Sequence, residues 1–138
     1  ASNDLVRRTS VAWLLETLVE HAATANRGRA AVTIERSEPH NFPYRGANLV
    51  GTSIALRCGV RCLTVEAGWP RTPADGFMRG GILALARFRH FGLPKAAMEA
   101  GLYRAGEAPV WRALTGEAPG GDVHSGDLHR HISLLTAG

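Results

Sequence analysis

The 138-residue sequence predicts a single-domain α+β fold over residues 1–138, with a small antiparallel β-sheet of three to five strands packed against two main helices. Three observations carry that expectation. Val11, Leu14, Leu15, Leu18 and Ala22 recur at three- and four-residue steps, the spacing of one helix face. Ile54, Leu56, Leu63 and Val65 alternate with polar or small residues on the two sides of Gly59, the period of a strand with one buried face. With 45% hydrophobic and 20% charged residues, a chain of this length has the apolar content for one core.

The first helix is expected from Asp4 to about Ala25. Ser2, Asn3 or Asp4 can cap its start, and Gly28 follows where a left-handed residue would end it. Trp13 projects off the main stripe beside Glu16 and Glu20 and offers a second contact surface. A strand is expected from Ala30 to Arg36, with Val32 and Ile34 on one face. Ser37 to Gly46 holds Pro39 and Pro43, which cannot donate to a ladder, and reads as a loop. Gly51 to Trp69 reads as a hairpin with a two-residue loop, either Gly59-Val60 or Cys58-Gly59. The apolar pairing puts Cys58 and Cys62 on opposite faces, which argues against a disulfide.

Gly68 to Gly76 is rich in breakers, and Asp75 is placed to cap a second helix running from Phe77 to Phe91. On a helical wheel Phe77, Gly81, Ala84, Leu85, Phe88 and Phe91 gather on one side. Arg79, Arg87, Arg89 and His90 gather on the other, with Ile82 and Leu83 among them. Lys95 to Leu114 fits a helix or two strands about Ala105 to Pro109; Gly116 to Gly126 reads as a loop and Asp127 to Leu135 as a short helix or strand.

The formal net charge is +4, and fifteen of the sixteen basic residues are arginine, a side chain suited to phosphate and carboxylate. Acidic residues interleave with them, so no long basic run forms, and a G+C-rich genome would raise Arg, Ala and Gly together. There is no apolar run near the roughly 18 residues that span a bilayer, and no export-signal pattern, so a soluble cytoplasmic protein is expected.

The leading functional expectation is a small, basic, non-catalytic interaction protein. Its partner-binding face would be Arg79, Ile82, Leu83, Arg87, Arg89 and His90 on the second helix. A protein partner or self-association as a homodimer is expected, with nucleic acid as the alternative polyanion and no membrane partner. The competing expectation is a small enzyme or ligand-binding domain with an anion pocket at the start of that helix, formed by Glu66, Trp69, Arg71, Asp75 and Arg79. No cofactor is expected. His124, Asp127, His129 and His131 have the residue types of a metal site, but no complete ligand motif contains them. No nucleophile elbow occurs, and the cysteines have no histidine near them in sequence.

Overall fold

The computed structural model describes residues 2–71, 78, 80–106 and 108–137. Helix α1 (Asn3–Arg27) starts where the Ser2 hydroxyl accepts a hydrogen bond from the Leu5 N–H at 3.2 Å. Its stripe Val11, Leu14, Leu15, Leu18 and Ala22 is buried. The left-handed residue after it is Arg29, at φ 77°, while Gly28 has φ −87°.

Seven strands follow: β1 (Thr33–Tyr44), β2 (Ala47–Cys58), β3 (Arg61–Trp69), β4 (Leu85–His90), β5 (Met98–Ala105), β6 (Ala108–Thr115) and β7 (Ala118–Asp122). They pair in chain order, each antiparallel to the next, and α2 (Ser125–Thr136) closes the chain. The architecture is a single-domain α+β meander, and its seven strands correct the expected three to five.

The departures from the expected elements follow from backbone conformation and sheet edges together. The expected helix over 77–91 is replaced, within its described part, by β4. Gly80 and Gly81 sit at φ 86° and 81°, outside the right-handed helical region, and Leu85–His90 then pairs with the otherwise open edge of β3. The expected loop at 37–46 is the second half of β1. As an edge strand it needs ladder donors on one side only, so Pro39 and Pro43 are tolerated, and the register breaks between Ser37 and His40. The expected loop at 116–126 contains β7, the opposite edge, where Pro119 faces Leu114. In 95–114 a 3₁₀ turn (Pro94–Ala96) is followed by two strands, and the terminal segment is helical. At the start of β1 Val32 is buried, whereas Ile34 is 41% exposed rather than sharing its burial.

The β2–β3 hairpin turns through Gly59-Val60, with Leu56 opposite Leu63 and Ile54 opposite Val65. Gly59 has φ 59°, as the first central residue of a II′ turn requires. This register assigns the faces. Ile54, Leu56, Leu63, Val65, Phe88 and Leu102 join the stripes of α1 and α2 in one apolar core. On the opposite face Phe42, Tyr44, Leu49, Ile82 and Leu85 form a smaller one.

Two glycine contacts shape that second face. A Cβ on Gly51 would lie 1.8 Å from the Ala67 carbonyl oxygen, so β2 and β3 approach there as only glycine permits. A Cβ on Gly101 would lie 2.6 Å from Ile82 Cγ2, so the segment leading to β4 lies over bare backbone. The sheet curls toward this face until Arg45, in the β1–β2 turn, reaches Glu117, in the β6–β7 turn, at 3.7 Å.

Candidate functional site

Glu66 lies on β3 with its side chain on the face away from the helices, opposite Arg87 in the β3–β4 register. The Glu66 Oε1 accepts from Arg87 Nε at 3.1 Å and Nη2 at 3.0 Å, and its Oε2 pairs with His40 Nε2 at 2.8 Å. Burial raises the Glu66 pKa, but the hydrogen bonds from His40 and Arg87 and the positive charge of Arg87 outweigh it and hold the carboxyl below its ordinary value. An ionised Glu66 is an acceptor only, so His40 carries the proton on Nε2. Phe42 supports the group: the His40 ring stacks on it at 5.7 Å, and the Arg87 guanidinium lies 5.4 Å from its centroid. Both carboxylate oxygens are engaged, and Glu66 orients and neutralises its neighbours.

Of the residues expected to form an anion pocket, the described Trp69 and Arg71 do not lie beside Glu66. Trp69 is on the helix-covered face and buried. The Arg71 guanidinium stacks 3.9 Å from the Trp69 ring centroid and donates to the Val50 carbonyl at 3.1 Å. Asp75 and Arg79 lie outside the described residues, so the expected cap and phosphate cradle are not among the features seen.

The partner-binding set is split by the strand period. Ile82, Leu83 and His90 are buried, Arg87 is half-buried against Glu66, and Arg89 is exposed. The arginine-rich helix face is thereby corrected: a strand of period two sends Arg87 and Arg89 to one face and Phe88 and His90 to the other.

The histidines are dispersed in a similar way. The His124 N–H donates to the Asp127 carboxylate at 2.8 Å, closing the start of α2. His129 meets His21 edge-on at 5.2 Å. His131 is buried, stacks on Phe88 at 4.7 Å and shares a 2.8 Å hydrogen bond between its Nδ1 and His90 Nε2. Burial lowers the pKa of both; that of His131 falls to about 4, with His90 and Arg130 adding to the effect and Asp127 opposing it. Among the described residues no group of three His, Cys, Asp or Glu side chains could hold a metal ion. Cys58 and Cys62 are free thiols.

A different surface opens beside Trp13. A cleft of about 400 Å³ between α1 and the β6 strand is lined by Thr9, Ser10, Trp13, Pro109, Val110, Trp111 and Val123. Trp111 is buried at its floor and donates Nε1–H to the Ser10 carbonyl at 3.1 Å, while Trp13 is 41% exposed at its rim. Trp13 was legible in the sequence as a residue off the buried stripe; the cleft was not, because Pro109 to Val123 reach it only through the sheet. Helix residues Leu5 and Thr9 continue this exposed side of α1.

No family model, curated protein or solved structure matches the chain. No helix among the described residues is long and apolar enough to cross a membrane.

Proposed function

We propose that the protein is a non-catalytic interaction module that self-associates through the Trp13 face. The observation that carries this reading is the pairing of a half-exposed tryptophan with an apolar cleft on the same surface. In a two-fold dimer the same patch meets itself, so a projecting ring beside a cleft is self-complementary: each Trp13 can enter the other copy's cleft. The treatment of charge in the fold supports a binding role over chemistry. Glu66 is spent on His40 and Arg87, and Arg71 is held by Trp69 and Val50.

Sedimentation over a range of concentrations tests the reading. The unaltered protein is expected to form a concentration-dependent dimer. Trp13→Asp is expected to remain monomeric with an unchanged melting temperature, since the residue contributes little to the core. A protein that is monomeric at the highest concentration, or a dimer that survives Trp13→Asp, overturns it.

A further inference from the structure

At the far end of the β2–β3 hairpin the molecule exposes apolar side chains where a folded surface ordinarily would not. Val60, in the hairpin turn, is 90% exposed, and Phe91, just past β4, is 74% exposed. The two turns are neighbours, because the Phe91 N–H donates to the Cys62 carbonyl at 2.9 Å. Neither side chain packs on the core, and each stands on a tight turn with a left-handed glycine beside it, Gly59 or Gly92.

The surrounding charge is positive. Arg57 and Arg61 flank the hairpin turn, Arg89 and Lys95 flank Phe91, and Arg29 lies in the connection that leads into β1 opposite Arg57. Glu35 lies 3.5 Å from Arg57, and Glu99 lines a neighbouring cleft with Arg89. Arg61 also donates to the Leu134 carbonyl at 3.3 Å, whereas the Arg29 and Arg89 side chains make no hydrogen bond or ion pair among the described residues. Beside Phe91 a cleft of about 460 Å³ is lined by Thr64, Arg89, His90, Phe91, Pro94 and Ala97.

We propose that this end docks on an anionic phospholipid surface, with Val60 and Phe91 entering the headgroup boundary, Arg57, Arg89 and Lys95 facing the lipid phosphates, and the cleft beside Arg89 receiving a headgroup. The chemistry favours lipid over other polyanions. A nucleic acid would use the cations, but Val60 has neither a ring to stack on a base nor a donor for a phosphate, and it gains by its exposure only where an apolar phase is offered. Two turn tips that protrude suit a planar boundary, and docking of this kind needs no spanning segment. The site is at a different place from the Trp13 face and stands or falls without it.

Flotation with phosphatidylcholine vesicles, with and without phosphatidylserine, tests the proposal on the full chain. The protein is expected to float with the serine-containing vesicles at low salt and to stay behind with phosphatidylcholine alone. Arg89→Ala and Lys95→Ala are each expected to weaken partition roughly fivefold. The double variant Val60→Ser with Phe91→Ser is expected to lose at least about tenfold while keeping the wild-type melting curve, since both side chains are exposed. Should that variant fold poorly, Phe91→Trp replaces it, and a blue-shifted emission on adding serine-containing vesicles is the expected sign of insertion. No flotation at low salt overturns the proposal. So does flotation indifferent to Val60 and Phe91, which would mean charge alone is at work, and so does preferential binding of a single-stranded DNA oligonucleotide unaffected by Phe91.

Discussion

Beneath α1 and α2, twenty-four buried apolar residues of the described chain form one continuous cluster; on the other face of the same sheet five do, and the neighbouring ground is held by Glu66 with His40 and Arg87. Burial is non-directional, so the helix-covered face spreads its stability over many side chains. An ion pair depends on geometry, so the opposite face concentrates its stability in a few atoms. Even the helix-covered face is not wholly apolar: Arg7 is buried there with its Nε donating to the Leu83 carbonyl at 2.8 Å, and His90 and His131 share their hydrogen bond under α2.

The largest effect should come from Phe88→Ala. Phe88 is fully buried in the main core and stacks on His131, so its truncation is expected to cost about 4 kcal/mol in urea unfolding. A smaller loss than that of Glu66→Ala would break the contrast between the faces. Glu66→Ala leaves the half-buried Arg87 without its carboxylate and is expected to cost about 2 kcal/mol, the figure for a buried pair reduced for partial solvent screening. Glu66→Gln should recover part of that loss by keeping acceptors for His40 and Arg87, as the same denaturation curves would show.

Acid should divide the faces more finely. The folded pKa of His131, at about 4, and that of His90 lie below the ordinary histidine value, so the folded state binds fewer protons than the unfolded one. Their contribution is therefore complete above about pH 6.5 and falls away as pH drops toward 4, with an expected loss of about 1.5 kcal/mol between pH 7 and pH 5. Glu66 is also depressed, so its contribution persists through that interval and fades only below the ordinary carboxylate range. His131→Gln should flatten the first phase and leave the second. A flat profile in the unaltered protein would mean that the histidine pair does not oppose protonation.

How far the sequence reaches follows from the range of each interaction. The stripe of α1 and a two-residue hairpin joining β2 to β3, at Gly59-Val60 or Cys58-Gly59, were legible because their signals are local: apolar residues three, four or two positions apart, with capping or turn residues between them. The stretch Ile82 to Phe91 satisfies a helical wheel and a strand alternation equally. What decided between them was the left-handed backbone at Gly80 and Gly81 and the open edge of β3. Glu66 and Arg87 both stood out in the sequence, but they were assigned to different sites. Their pairing is a matter of strand register across twenty-one positions, and His40 joins through a bulge beside Pro39 that has no periodic signal.

The amino-acid order by itself determined that this chain is a mixed α+β fold, which side of α1 is buried, that Trp13 lies off that stripe, and that β2 and β3 join through a two-residue turn, which the register then set at Gly59-Val60. Each of those depends on neighbours within one or two turns of chain. Tertiary structure alone decided the number of strands, the curl toward the second face and the joining of His40, Glu66 and Arg87. It also gathered Val60, Phe91 and the cations Arg57, Arg89 and Lys95 at one end. Those features arise when open sheet edges are satisfied and distant strands are set in register, and local periodicity carries no record of which edge will meet which.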